Sequence, residues 1–375
     1  MENRRVQIIS PGRVNLLGEH VDKYDGIVLP AAIDRAITLT AESRSDSLLH
    51  LKASDLNEEV TIDLAQVEKK VDISGNPLPT WAQYPAGVAW SLQQGGFSLS
   101  GADCQFKSDI PIGAGLSSSA AVEVAFAVLW QELGGWPMDR PTLARFCQKA
   151  EVEYVGVNCG LMDQFACANG EKDCVVLLDT RNLDSRPIPL PMGTAIVIAD
   201  STVRHNLVTS AYNDRVNDCQ MVLEIIQKKN PQVQSLRDVS HEMLESESAL
   251  IPEGAYKHAS HVVGEIRRVN TAIYCLEKGD VQAFGQLMFE THASLKDLYE
   301  VSCQELDQLV EIATRFDGCY GARLTGAGFG GCTVNLVEQS KAKEFADFVA
   351  DEYYRRTGFK TPVFITHASP GAHVL

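Results

Sequence analysis

The stretch Pro111-Ile112-Gly113-Ala114-Gly115-Leu116-Ser117-Ser118-Ser119-Ala120 runs straight into an apolar segment, residues 121–130, that reads as a buried helix. Two glycines let the backbone turn back on itself without a Cβ clash, so several N–H groups can face one cavity. The helix start adds unpaired N–H groups and a dipole end of roughly +0.5 charge. Together these make a place to hold phosphate. The three serines supply hydroxyls for phosphate oxygens or for Mg²⁺, an ion that takes oxygen ligands and keeps some of its waters. Taken alone, the decapeptide also fits a serine-capped helix after an ordinary glycine turn. No Gly-Lys-Ser/Thr closes it, so it is not a Walker A loop. The glycine spacing excludes a dinucleotide fingerprint, and residues 106–110 before it form a short strand at best.

At 375 residues the chain is long enough for two domains, each with its own core. Hydrophobic content of 45% against 22% charged describes a globular chain, not a disordered one. A formal charge of −16 argues against nucleic acid or an anionic membrane as partner. It leaves an ATP site open, because local donors and Mg²⁺ decide that. No run has the apolar length of a targeting or membrane-spanning segment. The ten cysteines form no C-x-x-C pair or metal spacing and read as reduced apolar fillers of a cytoplasmic protein.

Upstream of the loop, residues 6–9 begin a strand leading into Gly12-Arg13-Val14-Asn15-Leu16-Leu17-Gly18-Glu19-His20-Val21-Asp22. Alternation sets Arg13 and Asn15 on one side, so the polar groups are not a simple solvated face. Glu19, His20 and Asp22 in one loop suit a metal or a polyol; a charged surface turn is the plainer alternative. Strands are expected at 27–29, 36–40, 47–51 and 60–64. A helix opens at Trp81 and reaches about Leu92; its aromatics, Trp81 and Tyr84 among them, are of a kind that usually fills core.

Downstream, Gly134-Gly135 stops the buried helix. The next begins near Pro141 with a helical stripe of Leu143, Phe146, Cys147, Ala150 and Tyr154, and Glu151 sits at its edge, where a carboxylate can reach inward. In Cys159-Gly160-Leu161-Met162-Asp163-Gln164, Asp163 falls in the first turn of a short helix closed by Gly170. The dipole favours a carboxylate there, and such an Asp is also ordinary helix chemistry. A strand follows at 175–178, and turn residues at 187–191 mark a boundary between domains 1–190 and 191–375.

The second half reads as a strand at 195–199, a long helix at 205–229 containing Tyr212, and an acidic surface stretch at 242–253. Helices at 262–278, 281–299 and 303–315 precede a strand at 320–324. His258-x-x-His261 has no third ligand nearby and reads as solvent-facing. Thr325-Gly326-Ala327-Gly328-Phe329-Gly330-Gly331-Cys332 fits an unusual hairpin turn or close approach of backbone to a ligand. A strand through Val337, a helix at 341–356 and a strand at 362–366 complete an α+β layer with helices on one face.

Together these pieces resemble the kinase superfamily named for galactokinase, homoserine kinase, mevalonate kinase and phosphomevalonate kinase, and within it the galactokinase family. Residues 12–22 resemble the galactokinase signature, 111–120 the superfamily's ATP loop and 325–331 its third glycine motif. The likeness runs over 8–368 and includes 159–164 and 292–302. It implies a two-domain α+β fold, with the active site in the cleft between a β-rich/α N-terminal domain and a ferredoxin-like C-terminal one. The implied activity is ATP-dependent phosphorylation of the anomeric hydroxyl of D-galactose, with Mg²⁺ as cofactor. Asp163 would orient or deprotonate that hydroxyl, with Arg13 adding positive charge beside the transferring phosphoryl group. Glu19, His20, Asp22, Gly160 and Tyr212 match sugar-lining positions. Gly113, Ala114, Gly115, Leu116, Ser117, Ser118 and Ser119 match the ATP loop, Ser119 and Glu151 the Mg²⁺ positions, and Trp81 and Tyr84 the neighbourhood of the adenine pocket. The implied partners are a small sugar and ATP, with no nucleic acid and no membrane, and the chain is expected as a monomer or weak homo-oligomer.

Where that family shows Thr-Asp-Tyr-Asn after Gly-Glu-His, this chain has Val21-Asp22-Lys23-Tyr24. The sugar-facing Asp22 is kept. Lys23 either adjusts loop packing or shifts sugar choice, toward L-arabinose, N-acetylgalactosamine or galacturonate, whose carboxylate a lysine favours. A non-catalytic sugar and ATP sensor on the same fold is the other class of reading. Such relatives lose part of the Gly-Ser loop or the acidic residue, and here Ser117 to Ala120, Glu151, Asp163 and Arg13 are all present.

Overall fold

The computed structural model describes residues 4–204 and 208–375, the side chains of 208–210 excepted. In chain order the first elements are β1 (Arg5–Asn15), β2 (Ile27–Val28), β3 (Pro30–Ser43), β4 (Leu48–Ala53), β5 (Glu58–Asp63), α1 (Thr80–Gln94) and β6 (Ala102–Ser108). Then come α2 (Ser118–Gly134), α3 (Arg140–Lys149), α4 (Met162–Asn169), β7 (Cys174–Asp179), β8 (Ser185–Pro189) and β9 (Thr194–Asp200). The rest comprises α5 (Val208–Gln227), α6 (His241–Ser246), α7 (Glu253–Lys278), α8 (Val281–Asp297), α9 (Gln304–Thr314), β10 (Cys319–Thr325), β11 (Cys332–Glu338), α10 (Ala342–Thr357), β12 (Val363–Thr366) and β13 (His373–Val374).

The first sheet has the order β13-β1-β3-β6-β4-β5, antiparallel except where β4 runs beside β6. Pairing of β1 with β3 shifts register between Pro11 and Arg13. Pro11 has no N–H to give the ladder, and such a bulge re-aims the side chains after it. The Arg13 N–H then bonds the Leu116 carbonyl at 3.1 Å, tying this strand to the glycine-serine loop. Helix α2 lies in the core: Ala120, Ala121, Val124, Phe126 and Trp130 are all buried. Burying side chains such as Phe126 and Phe165 stabilises by roughly 1.5–3 kcal/mol each.

The second sheet, β10-β11-β9-β12, is antiparallel throughout. With helices between β9 and β10 and again between β11 and β12, it has ferredoxin-like connectivity. Leu309, Ile312, Phe345, Val349 and Tyr353 from α9 and α10 pack on Val197, Ala199, Ala322 and Val337. The last residues rejoin the first sheet, where β13 pairs with β1 and Ala368 bridges Ile33. A third, small sheet holds β2, β7 and β8.

Some expectations fail. His258 and His261 are buried, not solvent-facing, because α7 begins at Glu253 rather than near 262 and turns both into the interior. The acidic stretch at 242–253 is not wholly surface: Glu247 is buried against Lys229 at 2.9 Å. The expected start of the long helix at 205 lies outside the described residues. Among the described residues no helix is long and apolar enough to cross a membrane. All ten cysteines are free.

Candidate active site

Beyond the β1 bulge, Arg13 reaches the first turn of α4, where Asp163 sits. Its Nε donates to Asp163 Oδ1 at 2.8 Å and its Nη2 to Oδ2 at 2.7 Å, while Nη1 donates to the Gly115 carbonyl at 2.6 Å. The Ser117 hydroxyl donates to the same carboxylate. Ser117 has φ 58°, uncommon for a residue with a Cβ, and does not cap α2. The first-turn N–H groups of that helix thus have no capping side chain. Ala114 and Leu116 turn their side chains into the core, so only their backbone serves the loop.

A cavity of about 190 Å³ opens beside this fork and gathers Arg13, Glu19, His20, Asp22, Glu151, Gly160, Asp163 and Tyr212. A second, of about 300 Å³, is walled by Gly113, Gly115, Arg204, Gly328, Gly330 and Gly331. Ala327 lines both. The two glycine motifs touch back to back: a Cβ on Gly115 would stand 2.7 Å from the Thr325 carbonyl oxygen. No side chain fits there.

Burial, reinforced by the Asp163 charge, raises Asp22 to about 6. Its Oδ2 accepts from the Met162 N–H at 3.3 Å. A Cβ on Gly160 would come within 1.8 Å of that oxygen, which is why a glycine faces this carboxylate. The His20 ring stacks on Tyr299 with centroids 4.8 Å apart and lies 5.5 Å from Tyr212. Burial, then His261, lowers His20 to about 3, so the ring is neutral, and its buried Nε2 has no protein partner. Burial and the neighbouring Asp22 push the Tyr212 phenol well above its ordinary value.

Glu19 pairs with Arg323 of β10, a fully buried guanidinium that also donates to the Asn15 carbonyl at 2.8 Å. Burial lowers Arg323 to about 9. Sequence reasoning missed this residue; the available signal was one arginine inside an otherwise buried apolar strand.

Glu151 lies in a π-helical turn, Ala150–Val155, an irregularity common at functional sites. Its carboxylate takes hydrogen bonds from Cys159 Sγ at 3.3 Å and from Gln164 Nε2 at 2.5 Å, with the Ser119 hydroxyl close by. Burial, then the Asp163 charge, raises its pKa. A second carboxyl that sequence reasoning missed, Glu123, accepts from the same Gln164 nitrogen at 3.0 Å. Complete burial and then Glu151 push Glu123 well above the usual range. Ser119 and Glu151 bring two oxygen donors together at the start of α2, a set that suits Mg²⁺ once phosphate oxygens and water complete the shell. Among the described residues no group of three His, Cys, Asp or Glu forms a metal cluster without such help.

Trp81 and Tyr84 line neither cavity. The Trp81 indole N–H donates to Glu58 at 2.5 Å, and the Tyr84 phenol is raised by burial and by Glu151 nearby.

Residues 2–42 match the family model described as the galactokinase galactose-binding signature, 83–171 the GHMP kinases N terminal domain and 272–355 the GHMP kinases C terminal. The galactokinase of Roseiflexus sp. (strain RS-1) is 43% identical over 366 residues, covering 98% of this chain and 92% of its own length. That of Chloroflexus aggregans is 41% identical, covering 96% and 91%. The crystal structure of Lactococcus lactis galactokinase complexed with galactose matches with a TM-score of 0.93 at 33% identity, over 99% of this chain and 95% of that one. A mevalonate kinase at TM-score 0.65 and 20% identity shares the fold. With its signature, its two kinase domains and its full-length relatives in agreement, the chain belongs to the galactokinase family of the GHMP kinases.

Proposed function

We propose that this enzyme transfers the γ-phosphoryl group of ATP to the anomeric hydroxyl of D-galactose, giving galactose 1-phosphate and ADP. Membership of the family makes it an ATP-dependent galactose kinase. The finer reading rests on one observation, the Arg13–Asp163 fork where the two cavities adjoin. The sugar occupies the first cavity with its anomeric hydroxyl at Asp163, which orients it or takes its proton. ATP lies across the glycine motifs, its phosphates on the free N–H groups of α2. Phosphoryl transfer of this kind passes through a loose transition state, so alignment and charge supply most of the catalysis. Arg13 contributes both: it fixes the carboxylate and keeps a cation beside the transferring group. Mg²⁺ held by Ser119 and Glu151 would neutralise charge on the phosphate oxygens.

Glu19 and Asp22 act as acceptors for sugar hydroxyls, neutral His20 offers its unpartnered Nε2, and Tyr212 closes the cavity from α5. For Trp81 and Tyr84 near the adenine, the family resemblance alone supports the reading. The domains are taken as 1–190 and 191–375, with the tail returning to the first. Ten free cysteines and a charge of −16 support a cytoplasmic monomer or weak homo-oligomer.

The test is ADP release from Mg²⁺–ATP with galactose, glucose, L-arabinose, N-acetylgalactosamine and galacturonate, with phosphorus NMR of the product. Galactose turnover of roughly 1–100 s⁻¹, phosphate on C1 and little activity on glucose are expected. Activity confined to another sugar overturns the substrate. Binding of sugar and ATP without any ADP release overturns catalysis in favour of a sensor.

A further inference from the structure

We infer that Lys23 is a positioning residue for sugar specificity: its ammonium fixes the Asn158 carboxamide so that the amide presents a hydrogen-bond donor to a sugar hydroxyl at the cavity rim. The inference rests on the sugar-kinase reading above. Lys23 lies in a single 3-10 turn, Asp22–Tyr24, directly after the cavity-lining Asp22. Its Nζ donates to Asn158 Oδ1 at 2.5 Å and to the carbonyl of the same residue at 3.3 Å. Asn158 lines the sugar cavity, whereas Lys23 lines the adjacent cleft with Cys159 and Gly160. The Nζ is also 6.0 Å from the ring centre of Tyr212, another lining residue and within reach of cation–π attraction.

An amide carries one acceptor and one donor group. With Oδ1 held by an ammonium, flipping the amide would set NH₂ against NH₃⁺, so Nδ2 is fixed as its remaining polar group. The rest of the cavity is rich in acceptors, the carboxylates of Glu19, Asp22 and Asp163. A hydroxyl that donates to one of them still needs a donor for its own lone pair, and Asn158 supplies it. A uronate would meet those carboxylates, while the Lys23 ammonium, bonded to Asn158, is not among the groups that line the cavity. The clamp therefore selects a neutral sugar bearing a hydroxyl at the Asn158 rim.

The test compares the full chain with Lys23→Met, Lys23→Arg, Asn158→Ala and the Lys23→Met/Asn158→Ala double variant, on galactose and its 2-, 3-, 4- and 6-deoxy forms. Lys23→Met should raise KM for galactose about five- to twentyfold, with kcat and the KM for ATP within about twofold. Asn158→Ala should match it, the double variant should be no worse, and Lys23→Arg should restore most of the affinity. One deoxy sugar, lacking the hydroxyl that Asn158 meets, should show a KM insensitive to either substitution. An unchanged galactose KM in Lys23→Met, or a loss falling equally on every deoxy sugar and on ATP, overturns the inference while leaving the kinase reading intact. Absence of any sugar turnover in the unsubstituted enzyme overturns both.

Discussion

Arg13 and Asp163 meet through two parallel hydrogen bonds, 2.8 and 2.7 Å long, and the third guanidinium nitrogen is anchored on the carbonyl of Gly115. One buried side chain thus aligns the carboxylate at the first cavity with the glycine-serine loop at the second. Lysine carries the charge but cannot hold two oxygens and a carbonyl in one plane. Arg13→Lys and Asp163→Asn are expected to lower kcat by roughly 10²–10³-fold, the scale for losing one aligned polar group at a transition state. ATP affinity by calorimetry should stay within about threefold. Near-normal turnover in either purified variant would falsify the assigned roles.

That fork joins residues 150 apart in sequence, yet both were legible. Arg13 stood in a strand pattern whose polar side could not be a solvated face, and Asp163 in the first turn of a helix three residues after Gly160. The glycine-serine loop and the buried helix after it were readable for the same reason: local geometry demanded those residue types. What stayed hidden was set by tertiary packing. Arg323 makes sense only once β10 lies beside Glu19. His258 and His261 looked exposed because the true start of α7 has no capping side chain to announce it. Glu123 is one carboxyl on an apolar helix, and its surroundings become visible only where Gln164 and Glu151 close around it.

The Glu19–Arg323 pair spans both halves of the chain and is almost wholly buried. Arg323→Met leaves the almost wholly buried Glu19 carboxylate without its partner, at a cost of about 3–5 kcal/mol. Glu19→Gln/Arg323→Met removes both charges and should be more stable than Arg323→Met alone. Urea unfolding of the single and double variants measures this. Destabilisations that simply add would mean that the two side chains do not act as a pair.

Sugar binding should weaken in acid through Asp22. In the role proposed for it, its ionised form accepts from a sugar hydroxyl, so kcat/KM for galactose should fall as pH drops through about 6, with a slope of one proton. His20, held neutral down to about 3, does not contribute to that limb. Stability runs the other way. The native carboxyl binds its proton more tightly than the unfolded one at 3.8, so its stabilising contribution is complete below 3.8 and is lost as pH rises through about 6. Asp22→Asn should therefore lose the acid limb, raise the galactose KM at pH 8, and resist urea better than the parent above pH 6. A limb that survives in Asp22→Asn would assign it to another group.

Glu123 and Glu151 share the Gln164 side-chain nitrogen but cannot share a function. Two carboxylates around one amide in a buried site repel, and the one shut off from solvent keeps its proton. Glu123 is fully buried and pushed upward by that burial, whereas Glu151 lines the first cavity, accepts from Cys159 and lies beside the Ser119 hydroxyl, contacts that favour its ionised form. Glu123 is thus the carboxyl of the two whose surroundings favour the protonated form, and glutamine is a near-isosteric replacement for that form. Glu123→Gln should keep kcat within about threefold and leave the Mg²⁺ concentration for half-maximal rate unchanged. Glu151→Gln should raise that concentration at least about tenfold, since a neutral amide is a poorer ligand for a hard cation. Magnesium titrations of both variants at fixed ATP decide between the carboxyls. A rise in the Mg²⁺ requirement for Glu123→Gln alone would reverse the assignment and make the deeper carboxyl the one that ionises.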